Sequence, residues 1–136
     1  MTVSLSADSF DAQLRQVLAR HSFLRLAYLF GSLASGSARE DSDLDLAVGA
    51  ARPLCAEEKA ALIAELAERF GRPVDLVDLA KVGEPLLGQI LVHGRRILGD
   101  DTLHGDMICR HLFEQADFLP YRDRLLAERR QAWIGG

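Results

Sequence analysis

The 136-residue sequence is short of several things, and each shortage excludes something. It holds two cysteines, Cys55 and Cys109, which form neither a C-x-x-C pair nor a disulfide framework, so a reducing cytoplasm is expected. Only four prolines accompany a hydrophobic share of 49%, which excludes a disordered or collagen-like chain. No apolar run approaches the roughly 20 residues that a membrane span needs. The opening MTVSLSADSF has no basic stretch followed by an apolar one, so no secretory leader is expected. Lysine is scarce too, with only Lys59 and Lys81 beside the arginines, a bias that reflects genome composition rather than function. Basic charge is outweighed, 16 against 20 acids, for a net charge of −4. That balance disfavours coating a long nucleic acid, while a single nucleotide stays within reach. The length suits one domain, taken here as residues 1–136.

What is present reads as alternating helices and short strands. Ser9 to His21 is amphipathic at helical spacing, with Phe10, Leu14, Val17 and Leu18 on one stripe. Ser6 or Ser9 would cap its start. Leu24 to Phe30 is a short apolar strand ended by Gly31, and a short helix begins at Ser32. Asp43 to Val48 alternates acid with aliphatic and reads as a second strand. Ala56 to Phe70 is a helix with Glu57 and Glu58 in its first turn, Gly71 at its C-cap and Pro73 beyond. Val74 to Leu79 is a third strand, Glu84 to His93 a short helix, and Arg96 to Leu98 a fourth strand. Thr102 to Leu119 is a long helix, broken at Pro120 and continued over Tyr121 to Trp133. The order predicts an α/β (α+β) fold, a small mixed or antiparallel sheet flanked by helices. Its core spans about residues 24–100, and a C-terminal helical segment about 102–133.

The informative segment runs from Leu29 to Val48. Asp43 and Asp45 lie two apart on a strand, so both carboxylates leave one face about 7 Å apart. Like charges so close raise each other's pKa, and a divalent cation with a taste for oxygen ligands, such as Mg²⁺, removes that penalty. An isolated D-x-D is most often a solvated pair. Here it follows Gly31-Ser32 by ten residues, with the glycine at the end of an apolar strand. Glycine lets backbone approach a ligand, and free N–H groups beside a serine hydroxyl suit phosphate oxygens. A chance match to the whole spacing is roughly one in several hundred for a chain of this size.

G-S-x(10)-D-x-D between two strands resembles the signature of the polymerase-β-like nucleotidyltransferase superfamily. The S-D-x-D-L-A-V run looks most like its minimal nucleotidyltransferase (MNT) branch. The resemblance covers about residues 24–100. It implies a polymerase-β-like core in which Gly31 and Ser32 hold the triphosphate of an NTP, with ATP as the expected substrate. It further implies that Asp43 and Asp45 bind two Mg²⁺ ions and that a third carboxylate on a later strand completes the metal site. Asp75 and Asp78 both offer one; three apart on a strand, they point to opposite faces and only one can join. The family's pattern favours Asp75, with Asp78 as the alternative. The sequence departs from that pattern in the loop after Gly31-Ser32, where the family's arginine is replaced by Leu33 and Ser35; Arg39 lies nearby.

The resemblance implies transfer of a nucleoside monophosphate to a hydroxyl, with pyrophosphate leaving. Larger members carry an acceptor-selecting domain that this chain does not show, so the acceptor is expected on a partner. In the MNT branch that partner is often a HEPN-domain RNase toxin, and the implied role is an antitoxin that adenylylates a tyrosine of it. Two other readings stand beside this one: a non-catalytic antitoxin that occludes its partner, favoured by the missing loop arginine, and an enzyme acting on a small-molecule hydroxyl. Away from the motif, His21, His93, His104 and His111 show no metal spacing and read as structural or exposed. Cys109 reads as core and Cys55 as unactivated; Arg95-Arg96 reads as a solvated turn, with reach to phosphate or a nucleotide tail as the alternative. Arg122, Arg124, Arg129 and Arg130, interleaved with Tyr121, Leu125, Leu126 and Trp133, form the candidate protein-docking surface.

Overall fold

A computed structural model describes residues 7–39 and 41–115. In chain order its elements are α1 (Ala7–Ala19), β1 (Leu24–Phe30), α2 (Ser32–Ser35), β2 (Leu44–Ala50), α3 (Ala56–Phe70), β3 (Val74–Asp78), α4 (Leu86–His93) and β4 (Arg95–Leu98). A further helix, α5, occupies 101–115. The strands form one sheet in the order β3-β2-β1-β4. β1 runs antiparallel to both β2 and β4, whereas β2 and β3 are parallel. The sheet is therefore mixed. Its parallel pair is the one joined by a long helix, α3, because a tight turn cannot return a strand in its own direction.

Helices cover both faces. On one, Leu14, Val17 and Leu18 of α1 and Leu62 and Leu66 of α3 meet Leu29, Leu44, Leu46 and Val48 of the sheet. These are the residues that helical and strand periodicity place inward, and each is at most 2% exposed. Phe10 and Phe70 tie the two helices together, with ring centroids 5.1 Å apart. Burying a side chain of this size contributes roughly 1.5–3 kcal/mol. α3 ends where Gly71 turns left-handed and its N–H bonds to the Ala67 carbonyl. On the second face Leu26, Tyr28 and Ala47 pack with Leu87 and Ile90 of α4, and with Leu103 and Met107 of α5.

Several boundaries differ from the sequence reading. β2 begins at Leu44, leaving Asp43 just before the strand, and α4 begins at Leu86 rather than Glu84. Arg95 belongs to β4. Cys109, expected in the core, is exposed. The reason is rotational: α5 turns Leu103, His104, Met107, Arg110 and His111 towards the body, and Cys109 falls on the other side. The remainder of the long helix, Pro120 and the Tyr121–Trp133 surface lie outside the described residues. Among the described residues no helix is long and apolar enough to cross a membrane.

Candidate functional site

The carboxylates are arranged by strand alternation. Leu44, Leu46 and Val48 point into the α1/α3 core, so Asp45 and Ala47 must point to the opposite face. The parallel register sets Asp45 beside Asp75 and Val48 beside Asp78. Asp75 therefore shares the face of Asp45, and Asp78 does not. Asp78 is instead 4% exposed. Its Oδ2 accepts the Leu54 N–H at 2.9 Å, and its Oδ1 the Ala80 N–H at 2.9 Å. Those bonds give Asp78 the work of pinning the turn before α3. Along the second face cover runs out: Ala47 is fully buried, Asp45 half-buried, and Asp43 and Asp75 exposed.

Burial holds the Asp45 carboxyl above the usual carboxylate range, and the negative charges of Asp75 and then Asp43 push it further up. Among the described residues none of these three acids forms an ion pair. Nor is any set of three His, Cys, Asp or Glu side chains already drawn close enough to hold a metal ion. The donor set nevertheless suits Mg²⁺, which takes one or two carboxylates and completes its shell with water and substrate phosphates. A cation here would also relieve the repulsion that raises Asp45.

The Gly31-Ser32 turn is built against this cluster. Phe30, last residue of β1, pairs with Asp45, so the chain reverses directly beside that carboxylate. Gly31 has φ +73 and ψ −155, a backbone region reserved for glycine. Its carbonyl accepts the N–H groups of Ala34 and Ser35, each at 3.1 Å. Gly36 then turns left-handed and returns its N–H to the Ser32 carbonyl. The Ser32 hydroxyl makes no hydrogen bond with another described residue.

Leu33 and Ser35, which stand where an arginine was expected, are otherwise engaged. Leu33 packs on the core beneath, and the Ser35 hydroxyl bonds to Ser37 at 2.8 Å and to the Ser32 carbonyl at 3.2 Å. Arg39 is exposed, and its backbone is fixed on both sides: its N–H donates to the Ser42 hydroxyl, and its carbonyl accepts Nη1 of Arg72 at 2.7 Å. The same Arg72 nitrogen reaches the Ser42 carbonyl at 3.0 Å, one residue before Asp43.

Arg95 and Arg96 lie on β4 rather than in a turn, and only Arg96 is exposed as expected. Arg95 bonds to Asp11 and to the Ala34 carbonyl, and Arg96 to Asp101 at 2.7 Å. The roles of Arg72 and Arg95 are not legible in the sequence because their partners lie 30 or more positions away, where no local pattern links them. Three histidines have hydrogen-bonded side-chain partners: His21 with Glu65 at 2.6 Å, His104 with the Tyr28 hydroxyl at 2.7 Å, and His111 with Glu84 at 2.5 Å. Burial pushes the Tyr28 hydroxyl up to about 12, against a smaller opposing effect of Arg96.

Residues 12–103, more than half of the chain, match the family described as Polymerase beta, Nucleotidyltransferase. Protein adenylyltransferase MntA of Shewanella oneidensis is 39% identical over 83 residues, covering 59% of this chain and 60% of MntA. The chain thus spans less than two thirds of that relative. A crystal structure of a toxin-antitoxin with AMP-PNP contains a similar chain, at TM-score 0.68 and 28% identity, covering 85% of this chain and 98% of that one. A complex of the tri-AMPylated Shewanella oneidensis HEPN toxin with its MNT antitoxin gives TM-score 0.64 and 27% identity, covering 89% and 99%. With the in-register Asp45 and Asp75, the Gly31 turn and the sequence match in agreement, this chain belongs to the polymerase-β nucleotidyltransferase family.

Proposed function

We propose that the chain is an Mg²⁺-dependent protein adenylyltransferase that moves AMP from ATP to a tyrosine hydroxyl of a HEPN RNase toxin, acting as its antitoxin. The observation that carries this reading is the juxtaposition of Gly31 with Asp45, and of Asp45 with Asp75, on an open part of one sheet face. The acceptor and nucleotide are argued from relatives: one is a protein adenylyltransferase, one was solved with AMP-PNP, and one sits with an AMPylated HEPN toxin.

In this reading Gly31 brings backbone N–H groups to the triphosphate, and the Ser32 hydroxyl donates to a phosphate oxygen. Asp43, Asp45 and Asp75 would hold two Mg²⁺ ions. When bound, such ions lower the pKa of an attacking hydroxyl and offset charge on the departing pyrophosphate. Asp75, exposed like Asp43, would accept the tyrosine proton. The oxygen–phosphorus bond to the acceptor forms as the bond to pyrophosphate breaks. We assign the whole of 1–136 to this one domain and place it in the cytoplasm, where ATP is at hand and Cys55 and Cys109 stay reduced.

The test is co-expression with a HEPN-type toxin, incubation with α-labelled ATP, and intact-mass measurement of that partner. The wild type is expected to add one or more AMP units, and Asp43→Asn with Asp45→Asn to add none. Persistent labelling by the double variant would overturn the assignment of these residues. The engagement of Leu33 and Ser35, which leaves the loop without an arginine, favours a second reading: inhibition by occlusion alone. A tight complex without any mass shift, neutralised equally by the double variant, would select it.

A further inference from the structure

We infer that Arg95 is a positioning residue for nucleotide binding, holding the Gly31-Ser32 turn in place from the neighbouring strand. The inference rests on the reading of that turn as the phosphate-binding element. α2 is four residues long, has no side-chain cap and buries none of its residues fully. Such a segment cannot hold its own position, because one short turn of helix is unstable without tertiary support. Leu33 and Ala34 rest on the core, and the polar support comes through Arg95. Its backbone pairs with Leu29, two residues before Gly31. From there Nη1 donates to the Ala34 carbonyl at 2.9 Å, one of the acceptors that the end of α2 leaves without a helical donor.

The guanidinium is itself held. Nε and Nη2 donate to the two oxygens of Asp11 at 3.0 and 3.1 Å, a fork-on-fork pair. Asp11 stands on α1 between Phe10 and Leu14, which anchor that helix in the core. Its side chain is 19% exposed and that of Arg95 36%, so the pair is partly shielded from water. A rigid path thus runs from core to α1, to Arg95, to the backbone of the turn. Only arginine serves all three bonds, since they need a planar fork; a lysine keeps the charge and can satisfy one partner at a time.

A merely structural ion pair and a positioning residue differ in what they move. The turn grips the phosphates in the ground state and keeps its grip as pyrophosphate departs. Loosening it therefore removes uniform binding, which raises KM for ATP and leaves kcat largely unchanged. Arg95→Lys is expected to raise KM for ATP about tenfold, with kcat at saturating ATP within about threefold and the thermal midpoint within a few degrees of wild type. Asp11→Asn, which keeps the geometry but weakens the clamp, is expected to shift KM the same way and less. Calorimetric titration of Mg·ATP without the partner gives the affinity independently of turnover, and should weaken in parallel. An unchanged ATP affinity and KM in Arg95→Lys would overturn the inference, as would a loss confined to kcat or one that only follows loss of folded protein. Wild type that binds Mg·ATP but transfers nothing would overturn the proposed activity and leave the affinity comparison to decide on Arg95. Wild type that binds no Mg·ATP would overturn both.

Discussion

A β-carbon added to Gly31 would stand 2.1 Å from Oδ2 of Asp45. The turn and the carboxylate therefore fit together only because position 31 has no side chain, and its φ of +73 excludes other residues on a second ground. Gly31→Ala must push Asp45 aside and strain the backbone. It is expected to lower AMP transfer by at least about 100-fold, since small misplacements of a reacting site are costly. Stability should fall by roughly 1–3 kcal/mol. Urea unfolding and a transfer assay check the two effects. Activity within a few-fold of wild type would separate the turn from the reacting atoms.

The two candidate third carboxylates should respond oppositely to substitution. Asp75→Asn is expected to leave folding nearly unchanged, because the side chain is exposed and forms no ion pair among the described residues, and to abolish transfer. Asp78→Ala removes the acceptor of the Leu54 and Ala80 N–H groups and orphans a buried donor. Its cost is about 1–3 kcal/mol of stability. In whatever fraction remains folded, transfer continues. Thermal unfolding beside a transfer assay at low temperature tests the pair, and an inactive, fully stable Asp78→Ala would reverse the roles assigned to them.

Asp45 carries a pH signature. Burial, Asp75 and Asp43 raise its folded-state pKa above the unfolded value. The folded state thus holds the proton more firmly, so this group favours folding at low pH, and its contribution is lost as pH rises through the folded value. At pH 7 without metal, ionised Asp45 is a site of repulsion. Asp45→Asn is therefore expected to melt a few degrees higher than wild type at pH 7, with the gap closing towards pH 4 and in high salt. Adding Mg²⁺ should raise the wild-type midpoint and leave that of Asp45→Asn nearly unmoved. A variant that melts lower than wild type under all these conditions would remove the repulsion from the account.

How much of this was legible in the sequence follows the range of each interaction. The stripe of Leu14, Val17 and Leu18 and the alternation of Leu44, Leu46 and Val48 are local periodicities, and they gave both core faces of their elements. The glycine–serine and aspartate motif is also local, fixed by chain spacing alone. The choice between Asp75 and Asp78 needed the parallel register with β2, which is tertiary. Cys109 was misplaced because α5 is apolar on two sides, Leu103 and Met107 facing inward and Leu112 and Phe113 outward, so polarity does not fix its rotation. The partner of Arg95 could not be read, since 84 positions separate it from Asp11.

The helix that delivers Asp75 has an acid-sensitive start. Glu58, in the first turn of α3, accepts the Cys55 N–H at 3.0 Å and both Nη1 and Nη2 of Arg52, at 2.8 and 3.0 Å. The Arg52 bonds first, then the Cys55 N–H, hold its carboxyl down at about 2. The folded state therefore favours the ionised form. That contribution is complete above the ordinary carboxylate range and is lost as pH falls from about 4.5 towards 2. Glu58→Gln should melt a few degrees lower than wild type at pH 7, with the difference fading through that window and in high salt, where the exposed arginine is screened. Because the substitution loosens only the start of α3, far along the chain from Asp75, transfer at 25 °C should persist. Equal melting of the two proteins at pH 7 and low salt would mean that the Arg52–Glu58 fork adds nothing to the crossover that sets Asp75 beside Asp45.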